Sequence, residues 1–511
     1  MAVTEYILTQ DIGVFSCKSA LFSLDGTLVR SNIVSYRSCH NESGWAWQSP
    51  DLWWDAFCQN CRTLLSDIPP AAVKAVSLCG QMMACLPVDQ NIQPICDCIT
   101  WDDKRAIEQV KEMHGILGSE DIHNITGVCL GYAFTLPKVL WLKKHRPDFY
   151  ARTYKFIQCK DYINYKLTGQ LVTDETDAGF TQMYDLFGQC WSDTILNAAG
   201  ISSEKLPEVV PTGTILGHVT PQASGQSGLS TSTLVVLGLG DGRAPSVGAG
   251  IHSPGEGCIN LGSSSWLSQV TNWRNMDIHH SITKASYLQP GLYVNGGSIL
   301  SGCLCATWYV NAFFPDDLHF RNGGLESFLA RQLPNSPVGS RGLLFMPYLR
   351  GERAPWWNNF AKGGFVGLCS HHTKYDFCRS ILEGVSFQLA IIKNCIERLE
   401  PFVSMRMVGS GCSPQWQQIL SDVFEMNITS SDVTSHVGCV GAAVVAGVAT
   451  GIYRDYSESS RFHHNQLITT PIEENIEIYR ELLPAFEDCY FALQDINQHL
   501  GQVGRGNRSD R

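Results

Sequence analysis

An α/β protein of two domains is predicted, on three observations. The chain has 511 residues, more than one hydrophobic core fills. Two stretches open alike, each an apolar strand, a tight glycine turn and a second strand: "YILTQDIGVFSCKSALFSLDG" at 6–26 and "GEGCINLGSSSWLSQVT" at 255–271. Between them "STLVVLGLGDGRAPSVGAG" reads as a buried strand that runs into glycines, an aspartate and a helix, which suits a site between two domains. The boundaries expected are 1–250 for the first domain and 251–500 for the second.

Taken in order, the first hairpin places a turn that opens on Asp11 and Gly13, with Ser16 and Lys18 just beyond. A purely structural hairpin would do as well with Asn-Gly and no lysine, so this turn is a candidate for chemistry. The tryptophan-rich "DLWWDAFCQNCRTLL" has the period of an amphipathic helix, and "AVKAVSLC" that of a short buried strand. Three turns, "DIGVFS", "LGSSS" at 261–265 and "VGSGCSPQW" at 408–416, each follow an apolar strand and expose small residues. Backbone N–H groups in such turns can point into a common cavity and hold phosphate oxygens. The tail 501–511, "GQVGRGNRSDR", is rich in glycine and charge and is expected to be disordered.

Composition excludes some partners. Hydrophobic residues make up 44% and charged residues 17%, with a formal net charge of −11. No nucleic acid or anionic membrane is expected as a partner, because both need a concentrated basic face. A phosphate compound would have to be held by local backbone donors and a few cations. The twenty cysteines are scattered, and the close pairs Cys58/Cys61, Cys96/Cys98 and Cys303/Cys305 lie in apolar or helical runs, so they read as buried thiols rather than as metal ligands. The opening "MAVTEYILTQ" lacks a basic, then apolar leader, and no apolar run reaches the roughly 20 residues of a membrane span. A cytoplasmic protein with reduced thiols is expected.

The segment "GGFVGLCSHHTKYDFCRSILEGV" at 363–385 resembles the signature of the FGGY carbohydrate kinases, a family built on the ribonuclease H-like, actin/hexokinase-like ATPase fold. "GQMM" at 80–83, "ITWDDKRA" at 99–106, "KDYINYKLTGQLVTDETDAGFT" at 160–181 and "FMPYLRGERAP" at 345–355 resemble further family segments, in family order. Within the family the look is closest to the xylulose kinases. The resemblance implies two ribonuclease H-like domains with an active-site cleft between them, and phosphoryl transfer from ATP, with Mg2+, to a hydroxyl of a sugar or polyol. It places Asp241 as the catalytic base and Asp11 near the magnesium. Gly13, Ser16 and Lys18 would form the first phosphate loop, and Gly262, Ser263, Ser264 and Ser265 the second. Gly409, Gly411 and Gln415 would border the adenosine. Gln81, Met82, Met83, Trp101, Asp103 and Arg105 would line the sugar with Gly242 and Arg243. Read from spacing alone, Trp101 is core and Asp103–Arg105 a surface ion pair.

Departures from the family pattern qualify the activity. Val14 and Phe15 follow the first-loop glycine where the family carries Thr or Ser, so one hydroxyl that could bond a phosphate is missing. Met83 stands where xylulose kinases have histidine, and Gly242 where they have asparagine; both lost groups would touch sugar hydroxyls. Arg243 appears where a small residue is usual. It is either a solvated arginine in the first helical turn or a cation that faces an anionic sugar. The expected function is therefore an ATP-dependent sugar kinase with a xylulose-like ketose as first substrate. The alternative is a weak or inactive sugar or nucleotide sensor on the same fold, and a homodimer is left open.

Overall fold

The computed structural model describes residues 4–277, 282–433 and 436–506. The first domain opens with an antiparallel meander, β1 (Tyr6–Ile12), β2 (Ser16–Ser23) and β3 (Leu28–Ser35), whose inner positions Leu8, Ile12, Cys17 and Leu21 are buried. The helix α1 (Pro50–Leu64) begins at a proline, whose missing N–H costs nothing there, and packs Trp53, Phe57 and Cys61 on that sheet. Next come β4 (Val73–Gly80), α2 (Cys159–Thr168), α3 (Glu175–Gly179), β5 (Ile215–His218), β6 (Leu234–Gly240) and α4 (Ala244–Gly248). Among the described residues the six strands lie in the order β5-β6-β4-β1-β2-β3, with β4 parallel to both β1 and β6.

The second domain repeats the plan. Its meander is β7 (Glu256–Leu261), β8 (Ser265–Thr271) and, past the short β9 (Thr283–Ser286), β10 (Tyr293–Ile299). The helices α5 (Cys303–Phe313) and α6 (Lys374–Glu397) cover it; β11 (Ser404–Val408), α7 (Pro414–Phe424) and β12 (Ile428–Ser431) complete the parallel part. Then come α8 (Val437–Ala449), β13 (Gln466–Thr469) and α9 (Glu473–Gly506). The sheet order β9-β10-β8-β7-β11-β12-β13 matches that of the first domain from the meander through the second parallel strand. Each sheet thus carries a hairpin turn and parallel strand ends on one edge, where α/β folds build sites.

The two domains meet through α4 and α8. A Cβ on Gly248 would stand 1.9 Å from the Val437 carbonyl oxygen, and one on Gly441 would stand 2.1 Å from that of Ala244, so only glycine permits this crossing. Around the pair, one apolar cluster joins Ile7, Cys79 and Val236 of the first domain to Val408, Val440 and Val444 of the second. Two expectations need correction. Asp11 is not in the turn but in β1, opposite Lys18 of β2, because cross-strand pairing of opposite charges extends the ladder one step further. The tail from 501 is helical through Gly506, since α9 propagates from its amphipathic body; residues 507–511 lie outside the described ones.

Candidate active site

Asp241 follows the last residue of β6, and its N–H donates to Gly80 O at the end of β4 (2.8 Å). Its half-buried carboxyl is pushed up to about 8 by burial and then by the charge of Asp11, against the N–H groups of Gly242 and Met82 and the Lys18 ammonium. Burial likewise raises Asp11, with Lys18 and the Cys79 thiol pulling it down. Asp11, Lys18 and Asp241 are thus brought within electrostatic reach of one another from three strands. The N-terminus of α8 closes on the same spot: a Cβ at Gly438 would lie 2.9 Å from Asp11 Oδ2. Burial holds both carboxyls towards their neutral form, so a bound cation would favour ionising the pair, and carboxylate oxygens are the donors that magnesium takes.

The first turn is tied down by side chains. Gly13 N–H donates to Ser16 O (3.0 Å), Tyr36 Oη donates to Gly13 O (2.6 Å), and Gln48 Nε2 donates to Val14 O. Phe15 at the tip is 64% exposed. The second turn is held by main chain instead: Cys303 N–H donates to Gly262 O (2.8 Å), and Gly302 N–H to Ser263 O (2.9 Å). Ser263 and Ser264 are exposed, whereas Ser265 is buried at the start of β8. The third turn packs beside the second, with Gly411 N–H donating to Leu261 O (2.9 Å) and Gly409 against the same carbonyl. Gln415 Oε1 is buried there and accepts no hydrogen bond from the described residues.

On the sugar side, Gln81 is buried, its N–H donating to Ile12 O (2.8 Å) and its Nε2 to Gln48 Oε1 (2.9 Å), while its Oε1 has no donor among the described residues. Gln48 thereby links the first turn to Gln81, a role no periodicity announces. Met82 packs under Gly240 and Gly242, where a Cβ would meet its Sδ at 2.5 and 3.2 Å. Met83 adopts φ 62°, rare for a residue with a side chain, and Lys138 Nζ donates to its carbonyl (2.6 Å). Lys138 is fully buried, and burial lowers it to about 8.

Four residues differ from their spacing-based reading. Asp103 is no surface group: it is fully buried and accepts from Ala46 N, Arg105 N, Nε and Nη2, which fills its lone-pair sites and leaves none for a sugar hydroxyl. Arg105 lies over the Trp45 ring at 4.4 Å and so braces the loop that carries Trp101. Trp101 itself is half-buried rather than core, and the guanidinium of Arg353 from the second domain lies 5.4 Å from its ring. Nothing in the segment 345–355 marks Arg353 for this contact from its local pattern. Arg243 is not solvated; it is 6% exposed, with its guanidinium 5.0 Å from the Phe180 ring and its Nε buried without an acceptor among the described residues. Burial lowers it to about 10.

Family models now decide the class: residues 6–248 match the N-terminal domain, and residues 259–450 the C-terminal domain, of the FGGY family of carbohydrate kinases. The chain belongs to the FGGY family of carbohydrate kinases. It is 28% identical to a xylulose kinase of Staphylococcus xylosus over 95% of this chain and 99% of that one, and 28% identical to a gluconokinase of Bacillus subtilis over 99% of both. Its fold matches the crystal structures of a ligand-bound xylulose kinase and a gluconate kinase from Lactobacillus acidophilus, with TM-scores of 0.89 and 0.88. Both are 26% identical, and each match covers 96% of this chain and 98% of the other. As an FGGY kinase the protein is a phosphotransferase of the actin/hexokinase-like fold that phosphorylates a sugar with ATP and Mg2+. Nothing in these likenesses favours a sensor.

Proposed function

We propose that Asp241 is the general base of this kinase and that the acceptor is a small open-chain sugar, a xylulose-like ketose in the first instance. The observation that carries the assignment is the meeting of Asp241 with Asp11 and Lys18 at the ends of β6, β1 and β2. Asp241 would accept the proton of the attacking hydroxyl, while Lys18 stabilises charge on the transferred phosphoryl oxygens. Asp11 would hold the magnesium ion, which neutralises phosphate charge when bound. Gly13 and Ser16 of the first turn, and Gly262, Ser263, Ser264 and Ser265 of the second, would line the phosphates, with the exposed Ser263 and Ser264 hydroxyls as donors. Gly409, Gly411 and the orphaned Gln415 Oε1 would border the adenosine. The orphaned Gln81 Oε1 suits a sugar hydroxyl, and Met82, Met83, Trp101 and Gly242 would wall the sugar, with Asp103 and Arg105 shaping the loop behind it. All twenty cysteines are free thiols, in keeping with a reducing cytoplasm.

One observation favours a sugar acid over a neutral ketose. Arg243 is a buried cation with no carboxylate partner among the described residues, and an unpaired buried charge is costly. The carboxylate of an aldonate would supply the missing counter-charge, and gluconokinases stand among the similar proteins. Steady-state kinetics on xylulose and gluconate separate the two. Under the acid reading, Arg243→Ala raises KM for gluconate about tenfold, near 1.4 kcal/mol, and leaves KM for ATP unchanged. A wild type that turns over xylulose alone, with Arg243→Ala kinetically silent, returns the acceptor to the ketose.

A further inference from the structure

Behind the catalytic loop lies a chain of buried polar groups that the reaction itself does not use. β5 pairs with β6 over Leu234–Val236 and the chain before β5 bonds as far as Leu237, so on that side the end of β6 next to Asp241 has no neighbouring strand among the described residues. The Gly240 N–H, one residue before Asp241, instead donates to Thr176 Oγ1 (2.9 Å). Thr176 Oγ1 donates its own O–H to Asp174 Oδ2, which also accepts from Thr176 N (3.1 Å) and Thr212 Oγ1 (3.0 Å). Asp174 Oδ1 accepts from Lys160 Nζ (2.6 Å). Every donor in this series faces an acceptor, and both arms, the ammonium on one side and the amide and hydroxyl on the other, donate towards the Asp174 carboxylate.

The far end of the line is rigid. Lys160 is fully buried on α2, with Asp177 Oδ2 at 3.1 Å and Asp161 Oδ1 at 3.8 Å besides Asp174. Burial alone would lower the Lys160 ammonium, but the charges of Asp174, Asp177 and Asp161 outweigh it and hold it above the usual lysine range, while burial raises Asp161 to about 6 and Asp177 well above the usual carboxylate range. Its Cβ also lies 3.6 Å from where a Cβ on Gly80 would stand, and Gly80 O is the acceptor of the Asp241 N–H. Of the two backbone neighbours that fix Asp241, Gly240 along the chain is hydrogen-bonded to this cluster and Gly80 across the sheet lies beside it.

We propose that Lys160, Asp174 and Thr176 are positioning residues that brace the strand end carrying Asp241 and so set the direction of its carboxylate. This rests on Asp241 being the base. A brace of this kind acts on the chemical step, where a small misplacement is costly, more than on the binding of either substrate.

The test uses the full-length enzyme and the better of xylulose and gluconate. Thr176→Val keeps the shape and removes the hydroxyl, and Thr176→Ser keeps the hydroxyl. Thr176→Val should lower kcat about tenfold or more, with both KM values within about threefold of wild type, and Thr176→Ser should restore kcat. Amide exchange at Gly240 and Asp241 should quicken in the valine variant and not in the serine variant, a readout that serves even where the valine variant is too unstable for kinetics. Wild-type kcat and wild-type exchange in Thr176→Val overturn the brace. The two ideas fail separately: Asp241→Asn with undiminished turnover removes the base assignment, whereas a dead Asp241→Asn beside a fully active Thr176→Val removes only the brace.

Discussion

The two hairpin turns expected to hold phosphate occupy equivalent places in their domains and are built by opposite means. The turn at 13–15 is clamped from outside by side chains, Tyr36 on the Gly13 carbonyl and Gln48 on that of Val14, and carries no hydroxyl at either Val14 or Phe15. The turn at 262–264 is held from below by the backbone at the start of α5 and leaves Ser263 and Ser264 free at its tip. Under the proposed assignment one turn would supply charge, through Asp11 and Lys18 on its flanking strands, and the other hydroxyl donors. That division would account for the first-loop departure, because a hydroxyl missing from one turn would leave the donors of the other intact.

The largest effect expected from breaking this arrangement is at Gly302. An alanine there puts a methyl 1.9 Å from Ser265 Oγ and 3.0 Å from Gly262 O, so the second turn must shift. Gly302→Ala should weaken ATP binding or transition-state stabilisation by about 1–3 kcal/mol, read as kcat/KM for ATP, with KM for the sugar nearly unchanged. A variant with normal ATP kinetics would show that the second turn does not carry the phosphates.

Val14→Thr sharpens the contrast from the other side. If the first turn lacks only a donor, restoring the hydroxyl should raise kcat/KM for ATP by no more than the roughly 1.5–3 kcal/mol of one hydrogen bond to a charged group. A loss instead would mean that the clamp on the Val14 carbonyl, not the missing hydroxyl, sets the geometry.

The smallest effect lies away from both turns. Burial and the Asp174 charge raise Glu175 to about 7, while its Oε2 accepts from Thr212 N (3.0 Å). A carboxyl whose folded pKa is raised gives stability that is complete below the unfolded value, about 4.5, and lost as pH climbs through about 7. Glu175→Gln keeps the acceptor and removes the titration, so its urea midpoint should exceed that of wild type at pH 8 and match it at pH 5. Equal pH dependence in both proteins would contradict the assignment.

Much of the scaffold was legible in the sequence. The alternation of apolar residues at 6–26 and 255–271, and the apolar run into Gly-Asp-Gly at 240–242, match β1–β2, β7–β8 and the β6–α4 junction. The period of "DLWWDAFCQNCRTLL" put Cys58 and Cys61 on α1, where both are buried. What could not be read was burial set by distant partners. Arg243 looked equally at home in water, since nothing at its own position signals Phe180, 63 residues earlier in the chain. Asp103 and Arg105 read as a surface pair because their two-residue spacing says nothing of the Trp45 ring above them. Gln48, Lys138 and the Lys160 cluster act through contacts with segments far off in sequence, and local pattern is silent on these. The tail misled in the other direction: its glycines suggest disorder, but a helix already running from Glu473 continues through them.

The central claim is that Asp241 takes the proton while Asp11, Lys18 and the two turns manage the phosphates. ATP consumption that depends on added sugar, measured for wild type and Asp241→Asn on xylulose and gluconate, tests it most directly. Asparagine keeps the volume and can still hydrogen-bond the sugar, but it cannot take the proton. The account predicts sugar-dependent turnover in the wild type, a fall of at least about a hundredfold in kcat for Asp241→Asn, and nucleotide affinity within a few fold. Turnover that survives Asp241→Asn, or a wild type that binds sugar and nucleotide without consuming ATP, would contradict it.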